Sequence, residues 1–216
     1  SLQNLDMFKV QLRAILRAAS QGQVRLMFPL INSLMEFRQA KMTVHDAIED
    51  LEEAGIHVRK DIPIGMMLET PAAAIQVKEF CREVSFISIG TNDLIQYLLA
   101  VDRGNERVSQ FYNPSHPAVL RALRDVVRAC TQSNVDCSLC GEMAGQPLYT
   151  LLLLGLGLRT FSMAPANIPE VKKLIRLATL AQANRVAKRA LGFDTDRQVT
   201  NYLRDETRKV LPEDPI

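Results

Sequence analysis

Val84-Ser-Phe-Ile-Ser-Ile-Gly-Thr-Asn-Asp93 decides the fold. An apolar, β-rich run from Val84 to Ile89 stops at Gly90-Thr-Asn-Asp. Leu94, Ile95, Tyr97 and Leu98 then follow at helical spacing. A strand that turns directly into a helix is the repeating unit of an α/β protein, and the loop at the strand's carboxyl end is where such proteins bind ligands. Asp93 therefore has two readings from this stretch alone. It is either the cap of the next helix, a position Asp favours, or an oxygen ligand for a hard divalent cation.

Working outward, the same unit recurs on both sides. Upstream, Ile62 to Leu68 reads as a buried strand that ends in Glu69. Thr70 caps a helix with Pro71 at its first position, running to about Arg82. Before that come a helix over residues 3–20, a short strand from Arg25 to Ile31, and a long helix capped by Asn32 and Ser33 that reaches Glu53 and stops at Gly55. Downstream, the helix after Asp93 runs to about Val101. A polar loop from Asp102 to Ser115 follows, rich in Arg, Asn and Gly. Ser115 and Pro117 open a helix to about Gln132, and Asp136 to Cys140 forms a fourth strand. Leu148 to Leu154 is a short helix closed by Gly155 and Gly157, and Arg159 to Met163 a fifth strand. Two helices, roughly 169–191 and 195–211, end the chain. Continuous apolar strands alternating with helices predict a parallel sheet covered on its outside. Five strands suit either an open sheet or part of a βα barrel. The special residues gather at strand carboxyl ends, and the loops there differ greatly in length, which favours a partial barrel.

Composition excludes several function classes. The 216 residues are 47% hydrophobic and 23% charged, with a net charge of +2. That is ordinary globular composition, sufficient for one sizeable core. The near balance of charge and the lack of basic blocks speak against nucleic acid or a membrane surface as partner. No charged-then-apolar leader opens the sequence. The leucine run from Leu151 to Leu154 is far short of the ~20 residues a membrane span needs. Cys81, Cys130, Cys137 and Cys140 make no disulfide framework in a chain this long, which points to the reducing cytoplasm.

Glu69 and Asp93 end consecutive strands, and neighbouring strands lie ~4.8 Å apart, so both carboxylates can reach one cation. The bland alternative is two carboxylates at helix starts, favoured by the helix dipole. Two protein ligands suit Mg²⁺, which keeps several waters and is completed by a substrate phosphate or carboxylate. Cys137 and Cys140 form a Cys-x-x-Cys that could suggest zinc or a redox pair. Positions three apart on a strand face opposite sides, however, and no second pair follows. Cys137 is read as core. Cys140, at the functional end, is either an acid or base or a small buried hydrophobe. Glu142 binds, titrates or caps. Arg103, Arg107, Asn105 and Asn113 lie in the long loop, where an Arg beside a metal reads as an anion clamp. Composition does not choose Arg103 over Arg107. Arg25 begins its strand, so it belongs to the opposite end. His45, His57 and His116 read as surface or helix-face residues.

Gly65-Met-Met-Leu-Glu-Thr-Pro71, Ser88-Ile-Gly-Thr-Asn-Asp-Leu94, Asp102-Arg-Gly-Asn105 and Leu139-Cys-Gly-Glu-Met-Ala-Gly145, taken together, resemble the phosphoenolpyruvate-utilising enzymes. Within them they are most like the enzyme I family of the phosphotransferase system. His116-Pro-Ala-Val-Leu-Arg-Ala-Leu123 and Leu139-Cys140 lean toward its nitrogen-regulatory form. The resemblance runs from about Asp6 to about Leu191. It implies an α/β fold: the carboxyl-terminal part of a (β/α)8 TIM-type barrel that binds phosphoenolpyruvate and Mg²⁺ and dimerises. It assigns Glu69 and Asp93 to the metal, Asn92 and the Asp93 backbone to phosphoenolpyruvate, Arg103 to its phosphate, and Cys140 to protonation of pyruvate enolate at C3. The phosphoryl group would pass to a histidine of a separate amino-terminal domain and on to a histidine phosphocarrier protein. That domain and the first three barrel strands, with further phosphate-binding arginines, are not among these residues. Residues 1–216 thus read as a carboxyl-terminal fragment, inactive alone, whose open barrel edge is covered by a homodimer or by rearrangement. The competing readings are a Mg²⁺-dependent pyruvate-enolate lyase or aldolase barrel and a non-catalytic regulatory or dimerisation module.

Overall fold

The computed structural model describes residues 4–212. Five strands, β1 (Leu26–Phe28), β2 (Ile64–Leu68), β3 (Phe86–Gly90), β4 (Asp136–Cys140) and β5 (Thr160–Phe161), form one parallel sheet in the order β1-β2-β3-β4-β5. That order separates the two architectures left open by the sequence. A doubly wound sheet reverses its winding at a switch point. Here every strand sits beside its sequence neighbour, so all crossovers run one way and the helices cover one side, as in a barrel wall. The chain is a partial (β/α)8 barrel with additional carboxyl-terminal helices. Among the described residues, β1 pairs only with β2 and β5 only with β4.

The helices are α1 (Leu5–Ala19), α2 (Leu34–Glu53), α3 (Pro71–Ile75), α4 (Val77–Phe80), α5 (Thr91–Leu99), α6 (Pro117–Gln132), α7 (Pro147–Leu156), α8 (Ile168–Leu177), α9 (Leu180–Ala190) and α10 (Asp196–Val210). Four edge-to-face rings tie the first units together. Phe8 of α1 lies 6.1 Å from Phe28 of β1, Phe28 lies 6.0 Å from Phe37 of α2, and Phe37 lies 6.4 Å from Phe80 of α4. Such geometry adds about 0.5–1.5 kcal/mol per pair beyond burial. The first of these pairs packs α1 against β1. No described helix is long and apolar enough to cross a membrane.

The structure departs from the sequence reading at several boundaries. β1 is shorter than Arg25 to Ile31 because Pro29 has no N–H for the ladder, and Leu30 then turns to a φ of 52°. The helix expected over 71–82 breaks at Gln76, which lets Val77 and Phe80 reach the core while Ile75 stays outside. The helix expected over 169–191 is two helices. Thr179 caps the second by accepting from the Gln182 N–H at 3.2 Å. His116 is exposed, as read, and in addition caps α6: its Nδ1 accepts from the Ala118 N–H at 3.1 Å. Ser115 is fully buried and pairs with the Tyr149 hydroxyl at 3.0 Å. Arg25 stands at the amino-terminal end of the sheet, where it meets Asp136 at 2.9 Å and stacks on Phe86.

Candidate active site

Register fixes which side chains share an end. Leu68 pairs with Ile89, and Gly90 with Cys140, so the residues that follow these positions emerge from the same rim. The residues singled out on the three strands gather there: Glu69 after β2, Asn92 and Asp93 in the first turn of α5, and Cys140 at the tip of β4.

Thr70 caps α3, its hydroxyl accepting from the Ala73 N–H at 3.2 Å, so Glu69 is free of that duty. Its side chain is only 7% exposed, and its Oε1 accepts the Leu30 N–H at 2.7 Å. The left-handed turn at Leu30 is what aims that N–H at the carboxylate. Gly90 leaves room for the other oxygen, since a Cβ there would stand 2.9 Å from Glu69 Oε2. Asp93 is not the cap of its helix. α5 starts at Thr91 with Gly90 in the cap position, which leaves the Asp93 carboxylate free to face Glu69. Burial, and less strongly the Asp93 carboxylate, hold the Glu69 carboxyl above the ordinary glutamate range, against the opposing pull of the Leu30 N–H.

This shift has a sign that stability reports. Between the ordinary and the raised pKa, folded Glu69 binds more protons than unfolded Glu69, so stability falls as pH rises through that window. At neutral pH the charge is therefore a cost to the metal-free fold. Glu69→Gln keeps an oxygen for the Leu30 N–H and removes the charge. Thermal melts at pH 7 without divalent ions are expected to show Glu69→Gln more stable than the parent, with the gap closing below the ordinary glutamate pKa. Added Mg²⁺ should raise the melting temperature of the parent and not of the variant.

Cys140 and Cys137 point apart, as strand alternation requires. Cys137 turns toward Cys130 of α6, whereas Cys140 Sγ lies 3.5 Å from Met67 Sδ and 3.5 Å from the Ile89 carbonyl. All four thiols are free. Burial pushes the Cys140 thiol up, opposed by a hydrogen bond from Ser88 and reinforced by the Glu69 and Asp93 charges. A thiol held protonated is a poor nucleophile and a competent proton donor. Two contacts tie β4 to α5. The Thr91 hydroxyl donates to the Cys140 carbonyl at 2.7 Å, and the Glu142 N–H donates to Asn92 Oδ1 at 2.9 Å. Gly141, at a φ of 98°, permits both, because a Cβ there would press on Thr91 Oγ1 and stand 2.8 Å from Asn92 Oδ1.

Arg103 rather than Arg107 approaches the acidic pair, its Nη2 standing 3.7 Å from Asp93 Oδ1. A cavity of about 330 Å³ opens between Asn92, Cys140 and Glu142 on one side and Ser162, Met163 and Asn167 on the other. A larger groove of about 600 Å³ lies on the helical side between α3 and α6 and holds none of the strand-tip residues. Among the described residues no three His, Cys, Asp or Glu side chains are grouped to hold a metal. Glu69 and Asp93 are thus a pair of hard oxygen donors, the set that suits a Mg²⁺ retaining most of its waters. Two supporting groups carry no mark in the sequence, the Leu30 N–H and the Tyr112 hydroxyl, which donates to the Asn92 carbonyl at 3.3 Å, whereas the third, Ser88, opens the Ser88–Leu94 motif.

Acids, an amide, a thiol and an arginine thus gather at the carboxyl rim of consecutive β/α units, the end of a βα barrel where ligands bind. Residues 1–180 match the family described as PEP-utilising enzyme, PEP-binding domain, and the chain belongs to that family. The phosphoenolpyruvate-protein phosphotransferases of Geobacillus stearothermophilus and Haemophilus influenzae are each 42% identical to it, over 94% and 95% of this chain and 35% and 36% of theirs. That of Latilactobacillus sakei is 41% identical over 97% of this chain and 36% of its own. The chain therefore spans about a third of the length of these curated relatives. A crystal structure of a citrate lyase from Burkholderia xenovorans LB400 superposes with a TM-score of 0.58 over 94% of this chain and 68% of that one. At 19% identity this likeness is one of fold.

Proposed function

We propose that this chain is the phosphoenolpyruvate-binding domain of a phosphoenolpyruvate-protein phosphotransferase. The reading rests above all on the convergence of Glu69, Asp93 and a protonated Cys140 on one rim, in a chain so similar to enzymes of that name. Glu69 and Asp93 would hold Mg²⁺, whose charge offsets that of the phosphoryl group and of the enolate oxygen. Arg103 grips the phosphate, its planar fork matching two oxygens at once. Asn92 and the Asp93 backbone orient the substrate. The P–O bond to the enol oxygen breaks and the phosphoryl group passes to a histidine outside this chain, then to a histidine phosphocarrier protein. The enolate left behind takes the Cys140 thiol proton at C3 and leaves as pyruvate, and the thiolate regains a proton from water. Residues 1–216 act as the carboxyl-terminal domain of a longer homodimeric enzyme in the cytoplasm, a reducing compartment that suits four free thiols.

The test is a chimera in which this chain replaces the matching third of the Geobacillus stearothermophilus phosphotransferase. With phosphoenolpyruvate, Mg²⁺ and a phosphocarrier protein it is expected to release pyruvate and phosphorylate the carrier. The chain alone, lacking the acceptor histidine, is expected to release none. A folded chimera that does neither, or pyruvate release by the chain alone, would contradict the assignment.

A further inference from the structure

We infer that Tyr112 is the positioning residue of the anion clamp: its hydroxyl fastens the far end of the Arg103 loop onto the first turn of α5. The inference rests on the reading of this site as one for phosphoenolpyruvate. The segment from Asp102 to Tyr112 leaves α5 and returns over the rim, carrying Arg103 near one end and Tyr112 at the other. It is pinned to α5 at three points. The Arg103 N–H donates to Gln96 Oε1 at 3.1 Å, the Arg103 guanidinium stands 3.7 Å from Asp93 Oδ1, and the Tyr112 hydroxyl donates to the Asn92 carbonyl at 3.3 Å. Between these points the loop's polar contacts are local, such as Gly104 N–H to Asp102 and Arg107 N–H to Asn105.

Tyr112 also meets the field of the whole site. Burial pushes its phenol up to about 12, partly offset by the Arg103 charge and reinforced by Glu142, Asp93 and Tyr149. It is therefore protonated throughout the working range and serves as a donor, not a base. Asn92 is held from both sides: Tyr112 takes its carbonyl, and the Glu142 N–H takes its side chain. Next to Tyr112, the Asn113 amide donates to Asp196 of α10 at 2.6 Å, so the anchor itself is braced. An arginine on a loop loses rotamer freedom when it binds an anion, and a loop held in place lowers that cost.

The experiment is a double-mutant cycle in the chimera. Tyr112→Phe keeps the ring and removes only the hydroxyl. It is expected to raise the KM for phosphoenolpyruvate about tenfold with kcat within about twofold, one lost hydrogen bond that acts on binding. In an Arg103→Lys background the same change should add less than a further twofold, because the clamp it serves is already lost. Gln96→Leu, which removes the acceptor for the Arg103 N–H, should show the same KM-selective loss. An unchanged KM in Tyr112→Phe, or effects of Tyr112→Phe and Arg103→Lys that multiply, would overturn the inference while leaving the site assignment standing. A folded parent chimera without pyruvate release would overturn both.

Discussion

Cys140→Ala in the chimera is expected to cut pyruvate release about a thousandfold, within the 10²–10⁴ range a positioned general acid contributes. That corresponds to roughly 4 kcal/mol of barrier. The argument is local. The thiol sits between Met67 and the Ile89 carbonyl with the two carboxylates nearby, in surroundings that keep it protonated. The change removes one sulfur and one weak donor, so folding and Mg²⁺-dependent stabilisation should survive. Cys140→Ser is expected to recover little, because a hydroxyl gives up its proton far less readily than a thiol. The measurement is pyruvate formation under steady state beside a thermal melt. Near-parental turnover in Cys140→Ala would remove the thiol from the mechanism.

The largest stability effect is expected far from the rim. Gly155 lies in α7 where that helix presses on α9. A Cβ at Gly155 would collide with the Ala183 carbonyl oxygen, stand 2.6 Å from the Ala183 carbonyl carbon, and lie 2.7 Å from Ala187 Cβ. The obstacles are backbone and a methyl group that cannot rotate aside, so the two helices must separate. Overpacking costs about 1–3 kcal/mol, and the upper end applies to a rigid contact. Gly155→Ala is therefore expected to lower the melting temperature by ~6–12 °C in a chain of this size. Gly22→Ala, with nothing within 4 Å of its Cβ, is the control and should melt near the parent. Equal melting of the two variants would mean that α7 and α9 are not locked at this point.

Much of this was legible in the sequence for physical reasons. Five apolar runs bounded by Gly, Pro and capping residues gave five strands, and special residues at their ends gave one functional rim. Cys137 and Cys140 were separable by the two-residue strand period alone. Helix interruptions were harder. Gln76 breaks a helix with no Gly or Pro, in answer to where Val77 and Phe80 must pack, which is tertiary information. At Thr179 the signal existed, a Thr followed three residues later by Gln182, and the apolar spacing on either side obscured it. The supports of the site were invisible. Leu30 contributes a backbone N–H, and Tyr112 lies 20 residues beyond Asn92, so only the fold brings them to Glu69 and Asn92.

The central claim is that Glu69 and Asp93 share one divalent ion and Cys140 faces the substrate held beside it. Its most direct test is a crystal structure of the chimera with Mn²⁺ standing in for Mg²⁺ and with phosphoenolpyruvate. The expected result is an anomalous peak bridging the two carboxylates, with the substrate's C3 in contact, at ~4 Å, with Cys140 Sγ. Mn²⁺ bound elsewhere, or a substrate whose C3 faces away from that thiol, would contradict the account.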